Sequence, residues 1–159
     1  MKVVSHRLPL TLSLLLSVIA ANAAAADYSA QMCALTHPQL SDAVEVSEGV
    51  GTGCQWSTPD GGLVVLTVGD SDLEALAAQS RQELDDLEAS FAGVMGVKVS
   101  RGAMGVCAGD ELVDVTARGQ STVKGWARCG ERLLFISAQG AGTPEISKAM
   151  VKAAQAAGL

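Results

Sequence analysis

The chain has 159 residues, 48% of them hydrophobic, and a formal net charge of −6 from 17 acidic and 11 basic side chains. That balance lacks the basic footprint nucleic acid requires, and it disfavours an anionic membrane surface for the chain as a whole, although a local basic patch is compatible with it. The length suits one domain.

Residues 1–26 read as an export signal. Lys2 and Arg7 give the positive start, Leu8 to Ala20 the apolar core, and Ala-x-Ala sites end at Ala23 and Ala26. The apolar run is shorter than the roughly 20 residues a stable membrane span needs. Cys33 follows "SAQM"; bulky Met32 and the polar spacer from Asp27 do not form a lipobox. The expectation is a single mature domain, residues 27–159, periplasmic or secreted. Cleavage removes Lys2 and Arg7 and none of the 17 acidic residues, so the mature form is two charges more negative.

Cys33, Cys54, Cys107 and Cys129 all follow the signal, and an even cysteine count in an exported chain points to two disulfides. No pair is spaced Cys-x-x-Cys, and His37 is the one histidine after the signal, so a Cys/His metal centre lacks its nitrogen ligands. Three connectivities exist. The sequential one, Cys33–Cys54 with Cys107–Cys129, is preferred, and each bond closes a loop worth on the order of 3 kcal/mol.

Thr36 and Gln39 stand at a capping-box spacing with Pro38 between them, which predicts a short helix from His37 to about Val46. A strand follows, with Val50, Thr52, Cys54, Trp56 and Thr58 on one side, ending in the turn "TPDGG". "LVVLTV", residues 63–68, reads as a central strand covered on both faces. Ser71 and Glu74 form a second capping box, opening a long amphipathic helix whose stripe is Leu73, Leu76, Ala77, Ser80, Leu84, Leu87 and Phe91. Its outer face carries Asp72, Glu83, Asp85, Asp86 and Glu88 against Arg81; a solvated face is the expectation, an acidic docking surface the alternative.

The segments "VKVSR", "MGVCA", "ELVDVTA", "TVKGWARC" and "RLLFISA" are divided by turn chemistry and predict an antiparallel meander of four or five strands. A last helix starts with Thr143 as N-cap and Pro144 at its first position, and Ile146, Met150, Ala153 and Ala157 face the sheet. The order α-β-β-α-β(4–5)-α is an α+β fold, an antiparallel sheet packed by a long amphipathic helix and a C-terminal helix. In "CALTHPQL" and "CQW", Cys33, Leu35, Thr36, Cys54 and Trp56 match a pattern of a Cys-x-Leu-Thr helix followed by a Cys-x-Trp strand. With that element order, the chain resembles the LpqN-like exported envelope proteins, which have a PsbP-like α/β sandwich. The resemblance implies that fold and a binding role, and it supplies no catalytic residue. The chain departs from the pattern in lacking a lipobox cysteine and in adding Cys107 and Cys129.

Catalytic inventories are short. His37 stands beside Pro38 at a helix start, no G-x-S-x-G is present, and "GVGTG" at 49–53 precedes a strand where a phosphate loop would open a helix. Asp85 and Asp86 lie on an exposed helical face, and Asp110 and Glu111 read as turn residues. Neither an enzyme nor a cofactor is expected. One constellation stands out: alternation from 122 to 128 sets Trp126 between Lys124 and Arg128 on one strand face. This is either a partner-binding hot spot or a core tryptophan with snorkelling cations, and scarce aromatics favour the core. The sequence therefore points to a non-catalytic exported binding protein. Its most concrete form is an inhibitor or immunity-type partner of an envelope-acting, basic protein. The alternative is a carrier of a small or lipidic ligand.

Overall fold

Val64, Leu66 and Val68 alternate with Val65 and Thr67, and such a β-branched run goes to the middle of a sheet. The computed structural model describes residues 28–48, 51–69 and 73–159. The expected export signal, residues 1–26, and Val50, Ser71 and Asp72 lie outside these residues.

Helix α1 covers residues 28–33 and leads to strands β1 (Val44–Glu48), β2 (Gly51–Ser57) and β3 (Leu63–Gly69). Helix α2 (Leu73–Phe91) follows. A four-strand meander comes next, comprising β4 (Val97–Gly102), β5 (Glu111–Ala117), β6 (Gln120–Cys129) and β7 (Arg132–Gly140). Helix α3 (Thr143–Ala156) closes the chain. The strands form one seven-stranded sheet in the order β1-β2-β3-β7-β6-β5-β4, antiparallel at each pairing. This is an α+β fold.

The meander runs back from the far edge, so its last strand lands on β3. Helix α2 must therefore cross from the middle of the sheet to the β4 edge. It covers Val113, Val115, Trp126 and Leu133 with Leu76 and Leu84. On the other face α3 packs Ile146, Met150, Val151 and Ala154 against Trp56, Leu66, Val123 and Leu134, and Met32 of α1 joins them. Because α2 lies mainly over the meander, its side of β1 to β3 is only partly covered: Thr67 is buried, whereas Val44 stays 62% and Leu63 40% exposed.

Cys33 is bonded to Cys54 and Cys107 to Cys129. Cys54 and Trp56 share one face of β2 and both are buried, and the Trp56 indole N–H donates to the Leu35 carbonyl at 3.3 Å. The first bond thus ties α1 and the following loop over the sheet, and the second ties the β4–β5 loop to the end of β6.

Four expectations are corrected. The helix from His37 to Val46 is absent: residues 37–40 make a turn, with the Leu40 N–H on the His37 carbonyl at 3.0 Å. The Ser41 N–H then donates to the Ser57 carbonyl at 2.9 Å, and Ser57 N–H to Ser41 Oγ at 2.9 Å, which lays the chain beside β2 as β1. "MGVCA" is no strand; its backbone curls around the Asp110 carboxylate. Thr143 is not the cap of α3: Gly142 holds that place at φ 71°, and the Thr143 hydroxyl donates to the Gly140 carbonyl at 2.9 Å. The buried stripe of α3 includes Ser147, Val151 and Ala154 in place of Ala153 and Ala157, since the bulkier Val151 gains more from burial than alanine does.

Candidate functional site

Strand β6 carries Lys124, Trp126 and Arg128 on its α2 side, and their fates diverge. Trp126 pairs with Phe135 on one flank and Glu111 on the other. It is 5% exposed. Its indole N–H donates to Glu111 Oε2 at 3.3 Å, and the Arg81 guanidinium lies 5.5 Å from the ring centroid. Trp126 is thus core, roofed by α2. Arg128 lies at the far end of the strand, in an open groove of about 590 Å³ beside the Cys107–Cys129 bond. Lys124 alone of the three reaches a cleft under α2. The geometry does not join them into one surface.

The acidic side of α2 is largely tied down. Arg101 on β4 reaches Asp85 at 2.7 Å, Glu88 at 3.0 Å and Glu111 at 3.3 Å. Its hydrogen bonds to Asp85 and Glu88 hold the guanidinium even more firmly charged than usual. Lys124 reaches Glu83 at 3.3 Å. These carboxylates fasten the helix to the sheet. His37 sits in the turn before β1, where its Nδ1 accepts the Gln39 N–H at 3.2 Å.

The cleft forms where α2 ends its cover of the sheet. Register places Val44, Gln55, Val65, Ser137 and Lys124 in one row across β1, β2, β3, β7 and β6. The neighbouring row carries Thr67, Phe135 and Trp126. Between these rows and α2 lies a cleft of about 100 Å³. Val65, Phe135 and Leu76 give apolar wall, and Thr67, Ser137, Gln79 and Ser80 bring hydroxyl and amide groups. The Glu83–Lys124 ion pair also lines it. An engineered apolar cavity of about 150 Å³ admits a benzene ring. This cleft takes something slightly smaller, such as a branched aliphatic side chain. Serine hydroxyls here have no histidine beside them, and among the described residues no cluster of three His, Cys, Asp or Glu side chains is placed to hold a metal ion.

Likeness to a solved structure is distant. The chain is similar to a GTP-binding regulator from Thermotoga maritima, with 17% identity over 79% of this chain and 82% of that one and a TM-score of 0.36. Likeness at that level transfers no function. No protein-family model matches the sequence, and no curated protein matches it.

The two disulfides fit an oxidising, extracytoplasmic compartment. No described helix is long and apolar enough to cross a membrane. Of the cleft residues, sequence reasoning singled out Lys124 alone as a binding residue. Thr67 and Ser137, polar groups inside apolar strands, were the available signal for the rest.

Proposed function

We propose that this chain is a non-catalytic exported binding protein, most concretely an inhibitor or immunity-type partner of an envelope-acting protein. The observation that carries the reading is the preformed cleft under α2, sized for one side chain and sharing its residue row across the sheet with the exposed Val44. Pockets that receive a single apolar anchor inside a polar rim are how protein interfaces concentrate their energy. The excess of 17 acidic over 11 basic side chains favours a basic partner through faster encounter. The resemblance to LpqN-like envelope proteins implies the same binding role. A carrier would need more room than this cleft gives, because sites for drug-sized ligands occupy about 300–1,000 Å³; the groove beside Arg128 has that volume but is open and rimmed by Arg128, Glu131 and Arg132.

Affinity capture from envelope extract with the processed chain tests this. Wild type should enrich one protein in stoichiometric amount, and Ser137→Trp, which fills the cleft from the half-buried β7 face, should reduce that capture at least about tenfold. Equal capture by both would move the site off the cleft. A co-purified small molecule in native mass spectra, without a protein partner, would replace this reading with the carrier.

A further inference from the structure

The segment joining α2 to β4 reads Phe91-Ala92-Gly93-Val94-Met95-Gly96-Val97, seven residues without a charge. The structure leaves its large side chains in water: Phe91 is 38% exposed, Val94 45% and Met95 97%. Phe91 belongs to the apolar stripe of α2 by sequence, yet it lies past the edge of the core. Two short turns hold the segment, with the Val94 N–H on the Phe91 carbonyl at 3.2 Å and the Val97 N–H on the Val94 carbonyl at 3.1 Å. Nothing in the fold requires a methionine at its tip.

Two cations flank this tip on the sheet side. Lys98 follows it on β4, exposed. Val97 pairs with Ala117, so the next residue, Arg118, sits in the adjoining β5–β6 turn. That turn has φ 53° at Arg118 and 78° at Gly119, the pair of left-handed residues typical of a two-residue hairpin. Asparagine or glycine would occupy the first position with less strain, so the fold does not call for an arginine there. Neither Lys98 nor Arg118 forms an ion pair among the described residues. Along α2, Asp85 and Glu88 share the Arg101 guanidinium, and Asp86 accepts from the Gln82 amide at 2.7 Å and keeps its charge.

We propose that this tip is a lipid-docking device, in which Phe91, Val94 and Met95 enter the headgroup boundary of an anionic bilayer while Lys98 and Arg118 rest on its phosphates. An apolar wedge flanked by long cationic side chains is the composition a membrane interface selects. The attraction is local: charges beyond about 10 Å are largely screened, and within that range Arg101 offsets part of the charge of Asp85 and Glu88. Three small-to-medium apolar groups and two cations make a weak, reversible contact, no tighter than the roughly 10⁴ M⁻¹ of a single myristoyl chain. It uses residues separate from the cleft and stands independently of the partner proposed above.

Flotation of the processed chain with phosphatidylglycerol vesicles, and with pure phosphatidylcholine vesicles, tests the device. Wild type should float with the anionic vesicles at millimolar lipid. Val94→Asp with Met95→Asp should lower its partition at least about tenfold with melting unchanged, since both side chains are exposed. Lys98→Glu with Arg118→Glu should remove the preference for phosphatidylglycerol over phosphatidylcholine. Ser137→Trp should float like wild type. Failure of wild type to float with either vesicle, or equal flotation of the aspartate variant, overturns the proposal. Loss of a captured protein by that variant, with no vesicle binding by wild type, overturns it too and gives the tip to a protein.

Discussion

Asp110 is 5% exposed, yet its carboxylate stays charged. Burial opposes ionisation, but the backbone N–H groups of Met104, Gly105, Val106 and Cys107 all donate to it, at 2.9, 3.4, 2.6 and 3.1 Å, and together they hold the carboxyl below the usual value of 3.8. A carboxyl depressed in the folded state stabilises it fully above the unfolded pKa, and that stability is lost as pH falls through the folded value. The urea midpoint should therefore be level above about pH 5 and fall below about pH 4. Asp110→Asn should cost about 1–3 kcal/mol at neutral pH, because the amide NH₂ meets donors where a second acceptor was. It should also flatten the acid limb; an acid limb identical to wild type would remove Asp110 as its cause. Trp126 offers a second check. Buried beneath α2, it should cost about 3–5 kcal/mol in folding when replaced by alanine, through lost burial and a cavity. A near-normal unfolding curve would return Trp126 to the surface.

Helix α2 shows how an element with a narrow apolar stripe stays on its sheet. Leu76 and Leu84 are its buried anchors, and Arg101 gathers three carboxylates around its guanidinium at the β4 edge. The Arg101 side chain is 32% exposed, so solvent screens the cluster and its net effect is modest. Arg101→Ala should destabilise by about 1 kcal/mol at low salt, leaving Asp85, Glu88 and Glu111 to repel one another. The gap from wild type should close near 1 M salt, where the Debye length is about 3 Å. A salt-independent gap would assign the loss to packing of the arginine stem. Sequence patterning revealed α2, β2, β3 and all four meander strands, because each runs over six or more residues between clear turn signals. It misread residues 37–46 because a capping box is a local pattern, whereas Ser41 and Ser57, far apart in sequence, decide the path. It misread "MGVCA" because wrapping around Asp110 leaves Met104 and Val106 half-buried with exposed Gly105 between them, which has the spacing of a strand. The cleft was less legible still. Val65 and Ser137 meet only through the pairing of β3 with β7, which no local signal announces.

At the scale of the whole molecule, the two disulfides act on different parts of one sheet. Cys33–Cys54 spans 21 residues and holds α1 and its loop over β2, with Cys54 fully buried. Cys107–Cys129 spans 22 residues and closes the loop that cradles Asp110 onto β6. In the chain-entropy model the two loops are of nearly equal worth, about 3 kcal/mol each. What separates them is burial. Replacing Cys33 and Cys54 by alanine also hollows the core around Trp56 and Leu66, so this pair should cost more than replacing Cys107 and Cys129, which are half-buried. The bonds share no residue, so their costs should add to within about 0.5 kcal/mol. Domains of this size are typically stable by about 5–15 kcal/mol. Full reduction, at about 2–5 kcal/mol per bond, should therefore bring the fold to the edge of unfolding at physiological temperature. Urea titrations of wild type, the two double-alanine variants and the reduced chain measure all four quantities. A melting temperature indifferent to reductant would mean that packing alone holds the sheet, and the reason for four cysteines would have to be sought elsewhere.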